Sequence, residues 1–158
     1  MTATTRPAVE EDIAMLCELM DEAVVELRSH RGGEVFEASL HAGRTHRQIL
    51  EDALENVDTM VWCGLWESAL VGYSIATIEA GDDPVVVLRE IYTTTEARDV
   101  GVGEALVEAA IAWAIANEAH AIDAQTLPGA RQSKNLFERF GLTARLITVR
   151  RELRGIQD

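Results

Sequence analysis

The stretch Glu90-Ile91-Tyr92-Thr93-Thr94-Thr95-Glu96-Ala97-Arg98-Asp99-Val100-Gly101-Val102-Gly103-Glu104-Ala105-Leu106 decides how this chain is read. A strand-like run passes into Arg-x-x-Gly-x-Gly and then into a helix-forming sequence. Gly101 and Gly103 let the backbone turn tightly and approach a ligand closely. The first N–H groups of the following helix, with its dipole, make an anion site suited to phosphate. Arg98 adds a guanidinium fork for phosphate oxygens. The motif admits several readings. A Walker loop requires Gly-Lys-Ser/Thr, which is missing. A dinucleotide fingerprint requires Gly or Ala where Leu106 stands, although Asp123 lies about 20 residues on, at the place of a ribose ligand. A glycine-rich turn that merely starts a helix is the plain alternative.

Working outward, Thr59–Trp66, Ala69–Glu79 and Pro84–Thr93 are runs rich in Val, Ile, Thr, Trp and Tyr. Glu67-Ser68 and Ala80-Gly81-Asp82-Asp83 separate them as turns, which predicts an antiparallel meander. That meander argues against a dinucleotide-binding half. Upstream lies a short strand, Thr4–Ala8. Glu10-Glu11-Asp12 then open a helix reaching Leu27, their charges meeting the positive end of its dipole. Arg31-Gly32-Gly33 ends it, the pattern is poor up to Arg44, and a second helix is predicted from Thr45 to Asn56. Downstream, a helix over Gly101–Asn117 leads to a strand over Ala119–Thr126. A helix over Gln132–Phe140 and a last strand over Leu142–Leu153 complete the chain. The order predicts an α/β fold, a mixed, mostly antiparallel central sheet with helices on both faces.

The 158 residues suit one domain, 1–158, with a single core. Apolar residues make up 47% and charged ones 26%, a globular balance that excludes a disordered chain. A net charge of −13 repels phosphate backbones, so nucleic acid is not an expected partner, whereas a cationic amine is tolerated. No apolar core follows Met1–Arg6, and the longest uncharged run, Ser68–Ile78, is too short for a membrane helix. Cys17 and Cys63 stand in apolar surroundings and read as reduced core residues of a cytoplasmic protein. The near-exclusive use of Arg over Lys points to a GC-rich bacterial genome. Trp62, Trp66 and Trp113 read as core.

Arg98, Gly101 and Gly103 match, without a gap, the Arg/Gln-x-x-Gly-x-Gly/Ala signature of the GCN5-related N-acetyltransferase (GNAT) superfamily, which this sequence resembles over nearly its whole length. Arg6-Pro7-Ala8 with Glu10-Glu11-Asp12 resembles the family's opening, and Leu136-Phe137-Glu138-Arg139-Phe140-Gly141-Leu142 its later Leu-Tyr-Glu-Lys-x-Gly-Phe segment. The resemblance implies acetyl-CoA as co-substrate, no metal, and an N-acyltransferase activity. It implies that Pro84–Thr93 and Ala119–Thr126 splay apart around the pantetheine arm. Backbone groups of Arg98, Asp99, Val100, Gly101, Val102 and Gly103, with Glu104 and Ala105, would hold the pyrophosphate. Those of Thr93 and Thr94, beside a bulge, would hold the pantetheine amide and polarise the thioester carbonyl. Asn135 is a further candidate CoA contact, and Arg131 and Lys134 could meet the 3′-phosphate. A homodimer through the last strand, paired or swapped at the sheet edge, is also implied.

Direct transfer needs a neutral amine, yet an alkylamine is mostly protonated at neutral pH, so a carboxylate base is expected. Glu90 stands where many members carry an acidic residue. Strand alternation groups it with Val86, Leu88 and Tyr92; the alternative role is an ion pair with Arg89 or another Arg. The usual Tyr of the later segment is Phe137, which removes a general acid and leaves Tyr92 as a substitute by position. The Asn often found eight residues before that segment's Glu is Ala130. Arg28, His30, Arg31, His41, Arg44, His46 and Arg47 form one basic stretch, read as a lid or anion anchor at the acceptor site, or as a solvated loop. Its histidines match no metal-ligand spacing. A catalytically weak CoA-binding sensor of the same fold is the alternative function, and no signature identifies the acceptor.

Overall fold

The computed structural model describes residues 2–155. Five strands order as β1-β2-β3-β4-β5: Ala3–Pro7, Thr59–Trp66, Ala69–Glu79, Val85–Thr93 and Ala121–Ala124. The first four pair antiparallel and β5 joins β4 in parallel, so the predicted mixed sheet is what forms.

Alternation along the central strands sends side chains to two cores. On one face Val61, Cys63, Tyr73 and Ile75 pack beneath helix α1 (Ile13–Arg28) and helix α3 (His46–Glu55), against Leu16, Met20, Ile49 and Leu50. On the other, Trp62, Ala76, Val86 and Leu88 meet helix α4 (Val102–Ala116) through Leu106, Val107 and Ala110, with Phe137 of helix α5 (Arg131–Arg139). Local signals start these helices. Thr45 caps α3, its hydroxyl accepting from the Gln48 N–H while the Gln48 side chain accepts from the Thr45 N–H. Ahead of α1, a single 3-10 turn over Glu10–Asp12 places Asp12 to accept from the Val9 N–H and to clasp Arg6 at 2.7 Å.

Two expectations fail. The patternless segment before Arg44 holds helix α2 (Gly33–His41), entered through Gly32 in the left-handed conformation. It shows no clean apolar stripe because its residues line a cavity and bury little in the core. The strand expected over Leu142–Leu153 does not join the sheet. Past Gly141 (φ 81) the chain runs without strand pairing, leaving Leu146, Ile147, Val149 and Leu153 each at least 80% exposed. Alternation describes a strand's two faces but supplies no edge to pair with. Among the described residues no helix is long and apolar enough to cross a membrane.

Candidate active site

β5 pairs with β4 only across Val85–Leu88, and β4 continues to Thr93 paired with β3 on its other side only. A cavity of about 720 Å³ opens where the strands part. Leu88 to Thr93 form its floor; Leu27, Phe36, Leu40 and His41 wall one end, and Gly103, Asn135 and Leu136 the other.

The pairing of β3 with β4 slips between Ile75 and Ala76, leaving Arg89 as a bulge residue. A bulge re-aims the side chains beyond it. Val86 and Leu88 face α4, whereas Tyr92 packs with Tyr73 on the α1 side. Glu90 goes with Tyr92 and Tyr73, so the grouping of Glu90 with Val86 and Leu88 is overturned. Its Oε1 accepts from the Tyr73 hydroxyl at 3.1 Å and lies 3.3 Å from His41 Nε2. The side chain is only 10% exposed. Burial, with the Glu90 charge beside it, pushes the Tyr73 phenol well above its ordinary pKa, so Tyr73 is a fixed donor. Arg89 turns away to the Thr77 hydroxyl and Glu79, so it is not the partner of Glu90.

At the other end, Asp99 (φ 66) and Gly101 (φ 94) take left-handed conformations, easy only for glycine. This winding turns the backbone N–H groups of Asp99 through Glu104 away from any well-formed protein acceptor; Ala105 is the first to bond back, to Gly101. The start of α4 sits directly on the sheet because Gly64 lies beneath it: a Cβ there would come within 2.7 Å of the Val102 side chain. Val102 is therefore core, and Val100 packs against the same cluster. Asp99, Gly103, Glu104 and Asn135 line the cavity, as does Thr93.

Two expected details are corrected. The Thr94 N–H is engaged by the Val71 carbonyl at 2.8 Å and is not free for a pantetheine amide. The bulge lies at Arg89, not beside Thr93 and Thr94. Arg98 is also no free fork. It donates to Glu26 at 2.7 Å, to the Thr93 carbonyl at 3.1 Å and to Gln132 at 3.2 Å, strapping α1 to α5 across the cavity. Tyr92 donates to Glu22, and burial with that carboxylate pushes its pKa up to about 12. The basic stretch is largely neutralised in place: Arg28 by Glu37, Arg44 by Asp52, Arg47 by Glu51 and His46 by Asp21. Its α2 residues Phe36, Leu40 and His41 wall the cavity, as does His30.

Tyr73, Glu22 and Glu26 were not legible as site residues, and His41 was placed at the acceptor site only as one member of the basic stretch, not beside Glu90. Tyr73 sits inside a strand of apolar neighbours, and His41 lies on a helix without a pattern.

This arrangement of splayed strands, a donor-rich helix start and a shielded carboxylate defines a class of protein. Residues 18–142 match the model of the acetyltransferase (GNAT) family, and the chain belongs to that family. No curated protein matches it. Solved structures share the fold at low identity. The BH1408 protein from Bacillus halodurans superposes with a TM-score of 0.80 at 17% identity, over 94% of this chain and 99% of that one. The aminoglycoside acetyltransferase AAC(6')-Iy, solved with the bisubstrate analogue CoA-S-monomethyl-acetylneamine, gives 0.70 at 17%, over 96% and 99%. A ribosomal-protein-alanine N-acetyltransferase from Brucella melitensis gives 0.70 at 12%, over 97% and 100%.

Proposed function

We propose that this chain transfers acetyl from acetyl-CoA to a primary amine of a small molecule or peptide by direct attack. One observation carries this: a single cavity has unpartnered backbone donors at one end and a shielded carboxylate at the other. The residues present suit CoA. Asp99, Gly103 and Glu104 bring N–H groups without a well-formed protein acceptor to the cavity, and the parting of β4 from β5 leaves a slot for an extended chain.

Acetyl-CoA supplies the acyl group as an activated thioester. Glu90 removes a proton from the bound ammonium and exposes the nitrogen lone pair, with Tyr73 and His41 fixing its carboxylate. As the C–N bond forms and the C–S bond breaks, the newly acylated nitrogen loses its extra proton and the departing thiolate takes it up, directly or through water. Phe137, buried and without a hydroxyl, supplies no proton. With its pKa near 12, Tyr92 is too weak an acid for an ordinary thiolate, and we assign it to the cavity wall. The acceptor end, lined by Ala23, Leu27, Phe36 and Leu40, suits an amine carried on an apolar body.

Thiol release from acetyl-CoA over a panel of arylalkylamines, polyamines, amino acids and peptides tests this. Amine-dependent release that falls at least about a hundredfold in Glu90→Gln supports the enzyme. Tight CoA binding without turnover on any amine supports the sensor, which the loss of the tyrosine hydroxyl at Phe137 favours.

As partner we infer a second copy. The arm beyond Gly141 exposes its apolar residues, β5 pairs on one side only, and Arg145, Arg150, Arg151 and Arg154 against Glu152 make the arm net positive on a chain of charge −13. Exchange of arms between two copies would cover both the arm and the β5 edge. Free Cys17 and Cys63 suit a cytoplasmic setting.

A further inference from the structure

We infer that His41 carries the proton from Glu90 out of the active site through a second, separate cavity. This rests on Glu90 being the base. His41 is a buried imidazole, only 6% exposed. Burial of an imidazole costs free energy unless its ring nitrogens are hydrogen-bonded or reach water. One nitrogen is accounted for: Nε2 meets Glu90 Oε1 at 3.3 Å. His41 also lines two spaces at once, the acceptor cavity and a second, more open cavity of about 540 Å³ beyond α2.

The need for an exit comes from Glu90 itself. Its carboxylate is nearly closed to solvent, and a bound amine would close it further. Each turnover leaves a proton on Glu90 that must go before the next ammonium can be deprotonated. Tyr73, its other neighbour, is fully buried and leads nowhere. His41 does lead somewhere: its ring packs edge-on against His46 at 5.1 Å, and His46 Nδ1 pairs at 2.7 Å with Asp21, which is 73% exposed. The proton passes from the Glu90 carboxyl to His41 Nε2, regenerating the carboxylate. Imidazolium then releases a proton to water in the second cavity and returns to neutral, so nothing else is consumed. The charged groups facing that cavity are Arg28, Glu34, Glu37, Arg44 and His46; Arg28 is clasped by Glu37 and Arg44 by Asp52, leaving His41 the bridging base.

The test compares wild type, His41→Gln, His41→Gly and Glu90→Gln in kcat and kcat/KM across pH, with circular dichroism and acetyl-CoA affinity as checks of folding. Glutamine can hydrogen-bond Glu90 but cannot relay a proton. We expect His41→Gln to keep its acetyl-CoA affinity, lose about tenfold or more in kcat, and lose one limb of the pH profile. Added imidazole should restore much of the rate to His41→Gly. An inactive Glu90→Gln beside a His41→Gln with the wild-type profile overturns the exit and leaves the base in place. A slow His41→Gln with an unshifted profile, and no rescue of His41→Gly, reduces His41 to support for Glu90 and also overturns it. Full activity in Glu90→Gln refutes the base, and the exit with it.

Discussion

The Tyr73 hydroxyl donates to Glu90 Oε1 at 3.1 Å, and the two residues share a face only because Arg89 bulges between Leu88 and Glu90. Tyr73→Phe removes a buried donor from a carboxylate. It should cost about 1–3 kcal/mol, read as a lower urea midpoint at unchanged slope. A variant as stable as wild type would show that the hydrogen bond contributes nothing net.

Gly103 sits at the mouth of the donor-rich turn, where an added Cβ would lie 3.2 Å from Leu136. Gly103→Leu should therefore fill the groove. Calorimetric titration should give an acetyl-CoA Kd raised at least about tenfold, or about 1.4 kcal/mol. Unaltered affinity would move the cofactor site elsewhere.

Arg6 and the Val9 N–H hold the Asp12 carboxyl well below the usual carboxylate range, the Arg6 hydrogen bond being the larger cause. A depressed carboxylate stabilises the fold above its unfolded pKa, about 3.9, and that contribution fades as pH falls through the lower native value. Asp12→Ala should cost about 1 kcal/mol at pH 7. Denaturation midpoints of variant and wild type should begin to converge below about pH 4 and meet only below the depressed native value.

Burial pushes the Cys63 thiol up to about 12 and raises Cys17 as well. Neither should react with iodoacetamide at pH 7.5 in the folded protein, whereas both should in urea; mass spectrometry reads the difference. Labelling of Cys63 in the native chain would indicate an opening that the fold does not contain, whereas labelling of the partly buried Cys17 would show that its thiol is less raised than burial implies.

For the exposed arm, Ile147→Glu with Val149→Glu should turn a dimer into a monomer by light scattering, with acetyl-CoA affinity retained. Both side chains are more than 80% exposed, so neither change disturbs the core. A monomeric wild type at high micromolar concentration, or a dimer indifferent to these charges, would remove the arm exchange.

Much of this architecture was legible before any coordinates. The meander of Thr59–Trp66, Ala69–Glu79 and Pro84–Thr93 needs only period-two patterning and turn residues, and the structure keeps the first two bounds and moves the third by one residue. The α4 start was legible because glycine spacing reports backbone conformation directly. Helix α2 escaped because its side chains serve a cavity, so no stripe of core residues marks it. The Arg98 strap to Glu26 escaped because the two residues are far apart in sequence and near only in space.

By itself, the sequence determined the local chemistry: Gly101 for a tight turn and Gly103 for a close approach at a helix start, Glu90 as a carboxylate in an apolar strand, and the alternation that builds two faces. Only the tertiary structure decided where Glu90 points and what it touches. One extra residue in β4 reverses the facing of everything beyond it, and no local pattern records a shift that exists only relative to β3. The packing of α2 then brings His41 to that carboxylate, a contact that depends on the whole chain folding.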